Sequence, residues 1–139
     1  MSGFVLDASV AIAWLFEDRA RAETDALALR LVDAPAAAPA IWPWEVWSVC
    51  LKKARQARLD PAGIAGLRAS IGFFAGRVAV ETTQARTLEQ AIDLAFKHRL
   101  SGYDAGYLEL AIRRRMPLAT LDASLARAAR AEGVTVLPG

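Results

Sequence analysis

Gly3-Phe4-Val5-Leu6-Asp7-Ala8-Ser9-Val10 opens with a short apolar run that reads as a buried strand, and Asp7 stands where a helical pattern takes over. That helix is expected from Ala8 to about Phe16, far short of the roughly 20 residues a membrane span needs. No basic residue precedes it and Glu17-Asp18-Arg19 closes it, so it is not a signal peptide either. The expectation is a soluble, cytoplasmic protein with no membrane contact.

Working outward, the same strand-to-helix handover recurs. A helix is expected over Arg19 to Val32, its apolar side built from Ala22, Ala26, Leu27, Leu29 and Leu31, and a strand near Ala38 to Ile41. Pro43 suits the first turn of a helix reaching about Arg58, and Asp60-Pro61 opens another to about Phe74. Arg77 to Glu81 alternates as a strand, and Gln84 to His98 is helical. Ser101-Gly102 precedes a helix from about Tyr103 to Arg115. Pro117 to Thr120 forms a strand and Ala123 to Glu132 a helix, Gly133 sits at a C-cap, and Val134 to Leu137 ends the pattern as a strand.

Alternating strands and helices imply parallel strands joined by crossovers and covered on both faces. The expected fold is α/β, a three-layer α/β/α domain over residues 1–139 with a short, mostly parallel sheet of about five strands and about seven helices. Composition agrees. Of 139 residues, 55% are hydrophobic and 23% charged, which excludes disorder, and thirty alanines favour close-packed helices. A single cysteine, Cys50, excludes a disulfide framework and reads as core.

Most acids have a basic residue at helical spacing. Glu17 and Asp18 can pair with Arg21, Glu109 with Arg113, Asp93 with Lys97, Asp25 with Arg21, Asp33 with Arg30 and Glu89 with Arg86, while Asp60 caps a helix. Glu132 lacks a close partner but lies in a setting that reads as solvated. Four other acids lie in apolar junctions with no such partner: Asp7, Glu45, Asp104 and Asp122. Asp7 and Asp122 end expected strands within a repeated Leu-Asp-Ala-Ser tetrad, and Glu45 and Asp104 fall in expected first turns. Each taken alone is explained by helix capping or by the helix dipole. Together they fall where an open parallel sheet binds ligands, beyond the carboxyl ends of its strands. Carboxylates gathered there repel one another, and a hard divalent cation, Mg²⁺ or Mn²⁺, relieves the repulsion.

Setting the four aside leaves 11 of the 15 acids against 17 basic side chains, a surplus of six. Lys52, Lys53, Arg55 and Arg58, then Arg113, Arg114 and Arg115, then Arg127 and Arg130 are candidate phosphate contacts for a polyanion, although each run also reads as a solvated helix face. The single histidine, His98, between Lys97 and Arg99 at a helix end, argues against a histidine triad or zinc site, and no glycine-rich phosphate loop is present.

The elements Phe4-Val5-Leu6-Asp7-Ala8-Ser9, Trp44-Glu45-Val46, Ser101-Gly102-Tyr103-Asp104-Ala105 and Ala119-Thr120-Leu121-Asp122, in this order, make the sequence resemble the PIN-domain ribonucleases, in particular the VapC-like toxins of bacterial toxin–antitoxin modules. The resemblance runs from Asp7 to the final strand. It implies an endoribonuclease dependent on Mg²⁺ or Mn²⁺ with Asp7, Glu45, Asp104 and Asp122 as its acidic quartet, a homodimer, and a cognate antitoxin that covers the site in a hetero-oligomer. Ser9 and Thr120 match hydroxyl positions beside the acids and are expected to orient carboxylates or metal-bound water. Lys52, Lys53, Arg55, Arg113 and Arg114 are the expected RNA contacts.

Trp14, Trp42, Trp44 and Trp47 read as core or as a groove for an antitoxin helix or a dimer contact, and Ile64, Leu67, Ile71, Phe73 and Phe74 offer another such surface. Two rival readings stand beside the nuclease. One is a non-catalytic RNA- or partner-binding regulator whose acids hold a structural cation. The other is phosphoryl transfer through a nucleophilic Asp7. Ser9 stands where a haloacid dehalogenase-like phosphatase has a second Asp, and no lysine lies in 134–139 for a receiver domain.

Overall fold

A computed structural model describes residues 3–16 and 21–139. Among these, five strands and seven helices alternate: β1 (Val5–Leu6), α1 (Ala8–Phe16), α2 (Arg21–Arg30), β2 (Ala36–Pro39), α3 (Trp42–Gln56), α4 (Pro61–Ala75), β3 (Val78–Glu81), α5 (Ala85–His98), α6 (Gly102–Arg114), β4 (Leu118–Ala119), α7 (Ala123–Ala131) and β5 (Val136–Leu137). The strands form one sheet in the order β3-β2-β1-β4-β5, every pair parallel. The helices pack as two groups, α1 with α2, α3 and α4, and α6 with α5 and α7, consistent with three α/β/α layers.

The centre of the sheet is dry. Val5, Leu6, Leu118 and Ala119 have no exposed surface, and α6 lies against β1, β2 and β4. Ala36, Ala37 and Ala38 are all buried, and their small side chains suit the close approach of a packed helix. Chain entry is equally tight, because a Cβ on Gly3 would stand 2.6 Å from the Pro35 carbonyl oxygen.

Local signals behave as the residues dictate. The Asp60 carboxylate accepts the Gly63 amide at 2.8 Å behind Pro61, the Ser101 hydroxyl accepts the Asp104 amide at 3.1 Å, and Gly133 has φ +79°. Arg58, Arg99 and Arg115 take left-handed conformations just beyond α3, α5 and α6, a position more usual for glycine.

Four expectations are corrected. The second strand starts two residues early, at Ala36, because Ala36 and Ala37 donate to Arg77 and Phe4 carbonyls and the neighbouring strands set its register. Leu29 is 72% exposed, while Leu27 and Leu31 are buried, since two residues of helix turn a side chain about 200° away. Lys97 pairs at 2.8 Å with Glu132, not with Asp93, and His98 Nε2 also meets Glu132, at 2.6 Å. Glu132 is therefore no solvated acid but a tie between the ends of α5 and α7. The expected pairing of Glu17 and Asp18 with Arg21 lies outside the described residues.

Candidate active site

The sheet order reverses direction between β1 and β4, which grow outward from one another, and such a switch point leaves a crevice at the carboxyl ends of the strands. Leu6 pairs with Ala119, so the residues that follow each strand, Asp7 and Thr120, emerge side by side. The Asp7 amide donates to the Ala119 carbonyl at 2.9 Å, extending the ladder one step.

Two hydroxyls converge on one oxygen of Asp7. Ser9 Oγ donates to Asp7 Oδ2 at 2.6 Å and Thr120 Oγ1 donates to the same atom at 2.8 Å. Each hydroxyl has one proton and spends it there, so each serves its other neighbour as acceptor: Ser9 Oγ for the Leu121 amide at 2.9 Å, Thr120 Oγ1 for the Asp122 amide at 3.0 Å. The two hydroxyls therefore tie the β1–α1 junction to the β4–α7 junction. The repeated Leu-Asp-Ala-Ser tetrads are thus used differently. Asp7 collects side-chain hydroxyls, whereas Asp122 Oδ1 caps α7 by accepting the Leu125 amide at 3.0 Å.

Glu45 and Asp104 arrive on the first turns of α3 and α6, as the sequence implied. The four acids act on one another electrostatically. Burial raises the Asp7 carboxyl, the Ser9 and Thr120 hydroxyls oppose it, and Asp122 adds to the rise. Burial also raises Glu45, with Tyr107 opposing and Asp7 adding. Asp104 is pushed up to about 6 by burial and then by Asp7, Asp122 and Glu45 in turn. The acids thus share one neighbourhood, although among the described residues no three acid, histidine or cysteine side chains are close enough to form a ready-made metal cage.

The sequence reading missed Tyr107. It has no exposed surface, and its hydroxyl donates to Glu45 Oε1 at 2.7 Å. Burial and the adjacent carboxylates drive its phenol far above the ordinary value, so it stays a donor. Its placement three residues after Asp104, one turn along the same helix, was the available signal.

The expected phosphate contacts divide. Arg113 grips the buried Glu109 through two bonds of 2.8 and 3.2 Å and also reaches Glu81 at 3.1 Å, while Arg114 holds Glu81 at 2.7 Å. Both are engaged in a network that joins α6 to the end of β3, and both side chains remain partly exposed. Lys53 lies over the Phe16 ring. Lys52, Arg55, Arg58, Arg115, Arg127 and Arg130 are exposed.

The tryptophans divide as well. Trp42 is buried, and Trp14 stacks on Phe74 and donates to the Thr24 carbonyl at 2.7 Å. Trp44 and Trp47 are half exposed and, with Leu51, Ile64, Leu67 and Ile71, line a groove of about 660 Å³ between α3 and α4 that Cys50 floors. Cys50 is core, as read. Among the described residues no helix is long and apolar enough to cross a membrane.

The fold is shared with several solved structures. PAE2754 from Pyrobaculum aerophilum superposes with a TM-score of 0.75 at 19% identity, over 97% of this chain and 83% of that one. VapBC2 from Rickettsia felis, bound to a DNA fragment from its promoter, gives 0.69 at 12% identity over 97% of both chains. Mycobacterium tuberculosis VapC20, described as a sarcin-ricin loop cleaving toxin, gives 0.65 at 18% identity over 91% of this chain and 95% of that one. No curated protein sequence matches. The model of the PIN domain matches residues 4–131, a span that carries all four acids, both hydroxyls and Tyr107. The chain belongs to the PIN domain family.

Proposed function

We propose that this protein is an endoribonuclease dependent on Mg²⁺ or Mn²⁺ that hydrolyses RNA phosphodiester bonds as the toxin of a toxin–antitoxin pair. The observation that carries the reading is the pairing of β1 with β4 at the switch point of the sheet, where Ser9 and Thr120 tie the Asp7 junction to the Asp122 junction, with Asp7 raising both Glu45 and Asp104. The donor set fits the ion. All four groups offer oxygen. Mg²⁺ also needs no all-protein cage, since it keeps several waters and takes only one or two carboxylates along with substrate phosphate. Asp7 and Asp104 are the proposed direct ligands. Asp122 completes the site directly or through water, and Glu45 holds a second ion or positions the attacking water.

Bound there, the ion polarises the phosphoryl oxygen and acidifies water for in-line attack. The chain's own part is to hold Asp7 rigid between Ser9 and Thr120 and to bind RNA phosphates. Lys52 and Arg55, exposed along the helix that begins near Glu45, are the proposed phosphate contacts, with Lys53 beside them. VapC20, described as cleaving the sarcin-ricin loop, and the VapBC2 toxin–antitoxin assembly support this reading through their shared fold. The apolar groove edged by Trp44, next to Glu45, suits an antitoxin helix. Leu88, Ile92 and Phe96, four residues apart on α5 and 53%, 53% and 84% exposed, suit a homodimer contact.

The test is RNA cleavage by highly purified protein with Mg²⁺ or Mn²⁺, with chelator, and with Asp7→Asn. Cleavage stimulated by the ion and abolished by both chelator and substitution is the expected result. Chelator-resistant cleavage, or an Asp7→Asn variant as active as wild type, overturns the proposal.

A further inference from the structure

Glu45 sits in the first turn of α3 with a carboxylate that burial and Asp7 both disfavour, and a glutamate side chain has three rotatable bonds with which to turn away. Tyr107 prevents that. Its ring is locked in the core with no exposed surface, and its hydroxyl donates to Glu45 Oε1 at 2.7 Å. Tyr107 itself lies one turn beyond Asp104 on α6. One hydroxyl thus ties α6, which bears Asp104, to Glu45 on α3. A phenylalanine would fill the same core volume, so packing does not account for the hydroxyl. What the oxygen adds is a fixed bond to one acid of the quartet.

We propose that Tyr107 is a positioning residue that holds the Glu45 carboxylate in place against Asp7 and Asp104 and thereby sets the affinity of the site for its divalent cation. This rests on the nuclease reading above. Tyr107 does not touch the reacting atoms; it acts through Glu45, as outer partners of metal-binding groups do.

The experiment titrates Mn²⁺ alone into the full-length protein, without RNA, following free Mn²⁺ by electron paramagnetic resonance. Wild type, Tyr107→Phe, Glu45→Gln and the double variant are compared, and melting is recorded for each. Tyr107→Phe is expected to weaken Mn²⁺ binding about 10–100-fold. In the Glu45→Gln background the same change is expected to alter affinity less than about twofold, because neighbouring residues that act as a unit are not additive. RNA cleavage by Tyr107→Phe is expected to recover toward the wild-type rate as Mn²⁺ approaches saturation. A wild type and Tyr107→Phe of equal Mn²⁺ affinity, an equal loss in both backgrounds, or a Tyr107→Phe chain that does not fold would each make the hydroxyl structural and overturn the proposal while leaving the nuclease reading intact. A wild type that neither binds Mn²⁺ nor cleaves RNA overturns both.

Discussion

Thr120 Oγ1 donates to Asp7 Oδ2 over 2.8 Å, joining residues 113 positions apart at adjacent strand ends. The bond is buried, and the same hydroxyl accepts the Asp122 amide at 3.0 Å, so a single oxygen holds one acid by its carboxylate and another by its backbone. Thr120→Val keeps the shape and deletes that oxygen. The expected result is a loss of RNA cleavage of about 10–100-fold. A drop in stability of about 1–3 kcal/mol should accompany it, since a buried carboxylate and an amide each lose a partner. Cleavage rates and urea melts check this, and full activity in the variant would show that Asp7 needs no such anchor.

Asp104 sets a pH dependence with a definite sign. Its carboxyl sits at about 6 against an ordinary 3.8. Between those values the folded chain holds a proton that the unfolded chain has released, so the group favours folding below about pH 4 and loses that contribution as pH rises through about 6. Asp104→Asn removes the titration. In metal-free buffer the variant should be more stable than wild type at neutral pH by about 1 kcal/mol, after discounting for partial exposure, and the gap should close toward about pH 4. Melting curves across that range decide it. A gap that widens on acidification would contradict the sign.

Phe96→Glu tests the apolar strip on α5. Phe96 is 84% exposed, so the change should leave monomer stability within about 0.5 kcal/mol while shifting the homodimer proposed above toward monomer in sedimentation equilibrium. A dimer of undiminished strength would place the contact elsewhere.

Arg115 has φ +53° at the end of α6, where a side chain bearing Cβ is strained by about 1–2 kcal/mol and glycine is not. Part of that relief is offset by the greater freedom of unfolded glycine. Arg115→Gly should therefore stabilise the protein by about 0.5–1 kcal/mol, as read from melting measurements. A destabilised variant would mean that the Arg115 side chain makes up for its backbone strain.

Much of the fold was legible because its signals are local. Asp60-Pro61, Ser101-Gly102 and Gly133 mark helix ends through bonds spanning a few residues, and the structure shows them in those roles. The candidate acids stood out for a negative reason, since each lies in an apolar junction with no nearby basic residue. The misreadings of the second strand's register, of Lys97 and of Glu132 are matters of long-range choice. Lys97 had Asp93 one turn away and took Glu132, 35 positions on, because the ends of α5 and α7 meet. Arg113 holds Glu109 one turn back as its spacing implied, and β3 adds Glu81 to Arg113 and Arg114. Tyr107 was missed, because nothing along the chain says where its oxygen points.

The order of strands and helices, the places where they begin and the unusual loneliness of four carboxyl groups are written into the chain, since periodicity, capping and spacing act over a few residues at a time. Which hydroxyl meets which acid is not. Thr120 reaches Asp7, and Tyr107 reaches Glu45, only because parallel pairing sets β1 beside β4 and packing lays α6 against the sheet. Hydrogen bonds form over about 3 Å, and sequence separation carries no information about distances of that size until the core has closed.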